Sequence, residues 1–167
     1  DRPYREDDPV SPLGVYGQTK AAADAIVSAV PRHYIVRTSW VIGDGPNFLS
    51  KIVDFAKQGA QTSVVDDQFG RLTFATELAR AVRHLVDTDA PNGTYNVTAG
   101  GPVASRADIA RMTLSMAGLD PGLIVGMSTD QYIGSSSGGT AIRPSNSALD
   151  LTKIQRIGHA PTDAHRL

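Results

Sequence analysis

The chain lacks cysteine, a strong excess of charge of either sign, and any long apolar run. The absence of cysteine among its 167 residues excludes disulfides, thiol catalysis and zinc held by thiolates. A formal net charge of −1 leaves neither the basic field typical of nucleic-acid binding nor an acidic tail. No apolar stretch approaches the roughly 20 residues that a membrane span requires, and no segment resembles a secretory leader. We therefore expect a cytoplasmic protein that binds neither nucleic acid nor membrane.

Histidine is also scarce, and its four copies are not spaced like metal ligands. We expect surface or packing roles for them, and the sequence shows no clear ligand set for Mg²⁺. The chain begins with Asp1, inside a polar stretch that contains prolines, rather than with methionine. We interpret this start as that of a segment taken from a longer protein.

Helical and strand patterns alternate along the chain. An alanine-rich run that stops at Pro31 predicts the first helix. Thr76 can cap a later helix, and Ser105 with Asp108 forms a capping box for another. The alternation predicts an α/β fold with at least partly parallel strands. The predicted helices cover 15–30, 47–57, 76–87, 105–116 and 149–157; the strands cover 34–42, 62–65, 94–98 and 123–125; the irregular segments cover 1–12, 66–73 and 134–147.

Tyr16 and Lys20 are the first candidates for chemistry, because they are four residues apart in the first predicted helix. Residues at this spacing lie on the same helix face. A free phenol has a pKa of about 10, and a neighbouring ammonium stabilises the phenolate and brings that pKa toward the working range. The pair could therefore donate a proton to a carbonyl. The spacing alone is a weak signal, because it is also typical of a packed tyrosine beside an unrelated surface lysine.

The residues around this pair, together with four later motifs, resemble one family. Taken in order, they resemble the dTDP-4-dehydrorhamnose reductases, which are extended short-chain dehydrogenases, and the resemblance covers essentially the whole chain. The motifs are Ser11-Pro-Leu-Gly-Val-Tyr16-Gly-Gln-Thr-Lys20, Val36-Arg-Thr-Ser-Trp40-Val, Gly43-Asp-Gly-Pro-Asn47-Phe48, Asp66-Asp-Gln-Phe-Gly70 and Arg143-Pro-Ser-Asn146-Ser147-Ala-Leu149.

The resemblance implies an NAD(P)H-dependent reduction of the C4 keto group of dTDP-4-dehydro-L-rhamnose to dTDP-L-rhamnose. Tyr16 would give a proton to the keto oxygen while NADPH or NADH delivers a hydride to C4. Lys20 would hold the nicotinamide ribose and tune the tyrosine. Tyr16 and Lys20 would thus contact the cofactor, and Arg37, Thr38 and Ser39 would pass beside the nicotinamide.

Five residues are expected on the substrate side. By the resemblance, Trp40 would stack on the sugar, and Asn47 with Phe48 would line the start of the next helix. Arg71 and Arg143 are candidates for the diphosphate, because guanidinium forks match its oxygens. Each has a plain structural alternative: Trp40 could fill a core, and either arginine could be a solvated surface residue.

The family pattern also implies a division of the chain. It implies the C-terminal part of a Rossmann-type dinucleotide-binding fold, with a small substrate-binding lobe. Residues 1–46 would end the dinucleotide-binding domain and carry the Tyr/Lys helix. Residues 47–167 would be mainly substrate-binding domain, with about 75–99 packing back on the first. The run 134–140 would form a flexible loop near the substrate mouth.

Three departures from the family pattern bear on activity. Nothing in the chain resembles the G-x-x-G-x-x-G phosphate-binding start of such enzymes, so we expect the isolated chain to be inactive. The closing C-terminal helix of the family also looks truncated here. Where the family usually has x-Pro-Thr, this sequence has Arg71-Leu72-Thr73, which leaves the path of that loop open.

The expected partners follow from the same resemblance. They are a dTDP-sugar substrate, a second copy of the chain through an open edge of the strand over 33–38, and a fused 3,5-epimerase in the parent protein. A structural Mg²⁺, which some relatives hold, is a further expectation without a ligand set. Two other functions remain open: another nucleotide-sugar epimerase or dehydratase, and a non-catalytic, reductase-like regulatory subunit.

Overall fold

The computed structural model describes residues 2–135 and 141–164 and confirms the α/β class. Within these residues the chain forms six α-helices, eight short strands and one 3-10 turn at Pro121–Leu123. The helices are α1 Val15–Ser28, α2 Phe48–Lys57, α3 Ala75–Asp87, α4 Arg106–Met116, α5 Thr129–Ser135 and α6 Thr152–Arg156. The strands are β1 Tyr34–Arg37, β2 Val41–Ile42, β3 Thr62–Val65, β4 Phe69–Gly70, β5 Thr73–Phe74, β6 Gly93–Asn96, β7 Ala104–Ser105 and β8 Ile124–Met127.

The first lobe is built on β1, which pairs in parallel with β6 so that Tyr34 lies opposite Gly93. Helices α3 and α6 cover this pair, because each presents apolar residues on its inward face. Leu85 and Ile154 from these helices are completely buried against Tyr95. The lobe therefore has its own hydrophobic core.

The second lobe is built on β3, which pairs in parallel with β8. Helices α2 and α4 pack on this pair and bury a core of Ile52, Val64, Leu114 and Ile124 with three alanines. Both helices begin with a capping box, at Asn47 and at Ser105. These local signals explain why the predicted starts of the two helices are accurate.

A third cluster joins the two lobes. It comprises Ile42, Leu72, Ala99, Ile109 and Ala164, and partly buried aromatic side chains pack against it. Two short pairs lie in this region: β2 is parallel to β5, and β4 is antiparallel to β7. The junction positions the cavity described below.

The predicted strand over 34–42 is wrong in one respect: it is broken into β1 and β2. Trp40, in the break, has φ of +45°, a left-handed conformation that side chains other than glycine rarely adopt. The predicted polar loop over 66–73 is also wrong, because β4 lies within it and β5 begins at its last residue. The two corrections are linked, since the Thr73 amide donates to the Trp40 carbonyl oxygen at 3.2 Å and β5 pairs with β2.

Two helix starts also differ from the prediction. Thr76 does not cap α3; the N-cap position is Phe74, whose side chain makes no capping bond. Helix α5 was not predicted, although its start carries a local capping box in which the Gln131 amide donates to the Ser128 hydroxyl and the Ser128 amide donates to the Gln131 side-chain oxygen. The Asp67 carboxylate also accepts from the amide and hydroxyl of Thr129. Of the irregular segment predicted over 134–147, residues 136–140 lie outside the described residues, as does the chain end from 165.

Candidate functional site

Tyr16 and Lys20 lie together on α1, with the Lys20 Nζ 5.8 Å from the centre of the Tyr16 ring. The surrounding motif shapes the start of this helix. Pro12 lies against Gly17, where a Cβ would be only 2.9 Å from the Cβ of Pro12. The Tyr16 side chain is 70% exposed, so its hydroxyl is accessible.

Helix α1 buries no residue within the described structure. Apolar side chains on and beside it are exposed, namely Leu13, Val15, Ile26 and Val30. Large exposed apolar surfaces of this kind are typical of a face that another protein segment covers. An ion pair connects α1 to β1: the Arg37 Nε donates to the Asp24 carboxylate at 2.9 Å.

The three residues predicted to pass beside the nicotinamide have their polar groups engaged within the chain. Arg37 contacts Asp24 and also donates to the Glu6 backbone oxygen at 3.1 Å. The Thr38 hydroxyl donates to the hydroxyl of Thr73, and the Ser39 hydroxyl donates to the backbone oxygen of Arg71. Thr73 is completely buried and donates in turn to the Ser39 oxygen at 2.6 Å. These contacts fix the backbone between β1 and β2.

A cavity of about 320 Å³ lies beside the third cluster. Trp40, Asn47 and Phe48 line it, so the structure brings these three predicted substrate residues together. The Asn47 side chain is used structurally, because it accepts from the Leu49 and Ser50 amides as the cap of α2. The remaining lining residues are Val41, Ile42, Pro46, Leu72, Arg106 and Ile109.

Arg106 is a charged cavity residue that lies in none of the predicted motifs. Its guanidinium carbon lies 4.5 Å from the centre of the Trp40 ring and 5.9 Å from that of Phe48, and its Nε donates to the Gln68 side-chain oxygen. Burial lowers the pKa of Arg106, and the charge of Arg143 lowers it further. One signal was available in the sequence: a cation in the first turn of a helix opposes the helix dipole, which indicates another role for it.

Two residues of the Asp66-Asp-Gln-Phe-Gly70 motif contact the side chains that line this cavity. Gln68 is buried and bridges two elements, accepting from Arg106 and donating to the Thr129 hydroxyl. Gly70 lies against the Trp40 ring, where an added Cβ would be 3.0 Å from two ring carbons. The motif therefore holds both the guanidinium and the indole in place.

The two predicted diphosphate arginines have different surroundings. Arg71 donates to the backbone oxygens of Gly101 and Leu149, at 2.8 and 2.9 Å, and burial lowers its pKa. Its guanidinium thus joins segments of the chain, and it does not line the cavity. Arg143 is exposed and close enough to Arg106 for their charges to interact.

Neither a metal cluster nor a membrane-spanning helix is found in the part of the chain that the structure describes. No group of three histidine or acidic side chains there could hold a metal ion. No helix within residues 2–135 and 141–164 has the length and apolar character needed to cross a membrane.

Comparison with known proteins identifies the family. The family described as RmlD substrate binding domain matches residues 1–167. The chain belongs to this family. A relative of the RmlD family, dTDP-4-dehydrorhamnose reductase of Mycolicibacterium smegmatis, is 34% identical over 164 residues, which cover 96% of this chain and 48% of the relative.

Solved structures agree with the RmlD assignment. The reductase ortholog of Clostridium acetobutylicum matches with a TM-score of 0.88 and 30% identity, over 99% of this chain and 57% of that one. The Bacillus anthracis dTDP-4-dehydrorhamnose reductase, solved in complex with NADP, matches with a TM-score of 0.85 and 29% identity over the same shares. The chain therefore spans about half the length of the curated relatives and solved structures it matches.

Proposed function

We propose that this chain carries the acid–base pair and the substrate-binding surface of an NAD(P)H-dependent reductase. The reaction is the reduction of the C4 keto group of dTDP-4-dehydro-L-rhamnose to dTDP-L-rhamnose. The observation that carries the proposal is the exposed Tyr16–Lys20 pair on one helix face, within a chain of the RmlD family.

The chemistry requires a hydride at the sugar C4 and a proton at its oxygen. A bound nicotinamide supplies the hydride, and the Tyr16 hydroxyl donates the proton. The Lys20 ammonium, on the same helix face, stabilises the phenolate that remains. The NADP complex of the Bacillus anthracis relative supports a nicotinamide cofactor, and this chain's residues leave NADPH and NADH as alternatives.

The exposed side of α1 fits a contact with a dinucleotide-binding segment. No residue of α1 is buried within the described structure, although apolar side chains flank the acid–base pair. A dinucleotide domain that covered this face would place its cofactor beside Tyr16 and remove apolar surface from water. We accordingly propose that residues 1–46 belong to that domain, that 47–167 are mainly substrate-binding, and that 75–99 pack back on the first part. The pairing of β6 with β1 supports the last assignment.

The cavity fits the nucleotide-sugar side of the reaction. Trp40 and Phe48 provide aromatic surface, and Asn47 holds the start of α2 at the cavity edge. Because the Arg106 guanidinium lies over the Trp40 ring, a sugar that stacked on that face would have to displace it. We therefore propose that Trp40 shapes the wall of the sugar site and that Arg143 contributes positive charge near its mouth.

A chimera provides the test. This chain would replace the matching segment of the Mycolicibacterium smegmatis reductase, and NADPH oxidation would be measured with dTDP-4-dehydro-L-rhamnose. We expect turnover, with a loss of about 10²–10⁴-fold in kcat for Tyr16→Phe, the usual contribution of general acid catalysis. Tyr4→Phe, which removes the hydroxyl of another half-exposed tyrosine, is the matched control and should keep full activity.

The outcomes separate the alternatives. Full activity of Tyr16→Phe would refute the acid–base role. Oxidation of NADPH with a different nucleotide sugar only would refute the substrate and favour another enzyme of the superfamily. A chimera that binds both ligands without turnover would favour a non-catalytic subunit. Gel filtration of the chimera, with and without Mg²⁺, would test the expected homodimer and metal.

A further inference from the structure

Arg106 is a half-buried cation to which the described residues offer no counterion. Six other arginines of the described residues pair with a carboxylate: Arg2, Arg32, Arg37, Arg80, Arg83 and Arg111. The only hydrogen bond that the Arg106 side chain makes within the described structure is from Nε to the neutral Gln68 amide. None of the described residues that line its cavity is acidic. Taking an unpaired charge out of water is unfavourable, so this arrangement favours an anionic ligand.

The contacts of Arg106 hold its guanidinium ready for such a ligand. Trp40 and Phe48 lie beside the guanidinium, and Gln68 fixes its Nε, so the planar fork is preoriented. Its two Nη groups have no hydrogen-bond partner among the described residues, yet they are not sealed from solvent. They remain available to oxygens in the cavity.

A second cation points to the same ligand chemistry. The charge of Arg143 acts on Arg106, so the two guanidiniums lie within electrostatic range of each other. Two like charges at this range repel, and an anion with several oxygens between them would relieve that repulsion. Arg71 does not offer free donors to an anion in the same way, because its guanidinium donates hydrogen bonds to the Gly101 and Leu149 backbone oxygens.

We propose that Arg106 is a ligand-binding residue that takes a phosphate group of a nucleoside diphosphate in this cavity, with Arg143 as the second arm. This proposal rests on the proposed function for the nature of the ligand, and it replaces Arg71 as the expected partner of the diphosphate. Arg106 binds the phosphate directly through its Nη groups and holds the indole of Trp40 beside it.

Binding can be measured on the chain itself with dTDP as the probe. Trp40 is the chain's only tryptophan and touches Arg106, so its fluorescence reports on the site, and calorimetry gives the affinity. Arg106→Met keeps the apolar stem against the indole and removes the charge, and we expect dTDP binding about 10- to 100-fold weaker. Arg83→Met removes the same charge from an exposed site outside the cavity and should bind normally.

Three further binding measurements separate recognition of the phosphate by Arg106 from a structural role of this residue. Thymidine, which lacks phosphate, should bind far more weakly than dTDP, and inorganic pyrophosphate should compete with dTDP. Arg106→Lys retains the charge and should recover part of the affinity, which a purely structural role in packing would not give. Circular dichroism of each variant checks that it is folded.

The proposal is overturned if the unaltered chain binds no dTDP, if thymidine binds as tightly as dTDP, or if Arg106→Met and Arg83→Met bind alike. The reductase assignment fails separately: it fails if the chimera does not oxidise NADPH, whatever the affinity of the chain for dTDP. Normal turnover with unchanged binding in Arg106→Met would remove only the role of Arg106.

Discussion

Gly70 provides a direct test of how the cavity is built. A Cβ at this position would lie 3.0 Å from Cε2 and Cζ2 of Trp40 and 3.1 Å from Cη2, closer than ordinary contact. The backbone of Gly70 cannot easily retreat, because β4 pairs with β7 and Gly70 lies opposite Ala104. The indole must therefore move, and the Arg106 guanidinium over it must move as well.

The size of the effect follows from two opposing contributions. Overpacking of this kind costs about 1–3 kcal/mol. Gly70 does not have positive φ, so alanine fits its backbone and recovers about 0.4–1 kcal/mol by restricting the unfolded chain. We expect Gly70→Ala to lower the free energy of unfolding by about 1–2 kcal/mol, with a fall in Tm of about 2–4 °C per kcal/mol at this chain length.

Urea unfolding followed by Trp40 fluorescence measures both consequences, since the emission of the folded state reports on the displaced indole. Gly134→Ala is the control, because an added Cβ there meets nothing within 4 Å. This control should be neutral or stabilised by up to about 1 kcal/mol, as expected for a glycine inside a helix. A Gly70→Ala variant with unchanged stability and unchanged emission would show that the contact between glycine and indole does not shape the cavity.

Three further predictions concern other parts of the chain. Arg71→Met should lower the free energy of unfolding by about 2 kcal/mol, because it leaves the Gly101 and Leu149 oxygens without their donors, and calorimetry should show dTDP affinity unchanged. Burial is the main cause that lowers the pKa of His159 below its ordinary 6.5, so the unfolded chain binds a proton at this imidazole more readily than the folded chain does. The urea concentration at the unfolding midpoint should therefore fall as the pH drops below 6.5, and it should fall less in His159→Phe. Amides of α1 should exchange with deuterium faster than those of α3, because α1 buries no residue, and equal protection would contradict this.

The parts of the fold that local chemistry determines were predictable. Helices α2 and α4 carry their own capping signals, at Asn47 and Ser105, and both begin where the sequence indicates. The break at Trp40 was not predictable, because it depends on pairing between β2 and β5, more than thirty residues apart in the sequence. Helix α5 was missed although Ser128 and Gln131 provide a local capping signal, because the helix has seven residues and buries none of them, so no apolar periodicity marks it.

Of the candidate site, too, the residues that belong to local motifs were predictable and the one that depends on tertiary packing was not. The Tyr16–Lys20 pair and the cavity residues Trp40 and Phe48 follow from motifs that are contiguous in the sequence. Arg106 lies in no such motif, and only the packing of α4 against the junction brings it to Trp40. Its placement depends on tertiary contacts that no local pattern encodes.

The departure at residues 71–73 from the family pattern can be explained by contacts of the same kind. Where x-Pro-Thr is usual, the chain has Leu72, whose side chain is buried in the third cluster and whose oxygen accepts from the Ala99 amide. Proline can provide both features, because it is apolar and retains its carbonyl group. Thr73, which both versions share, makes the contact that matters for the site, since its hydroxyl fixes the Ser39 backbone before Trp40. Leu72 therefore makes, in this chain, two contacts that a proline at the same position could also make.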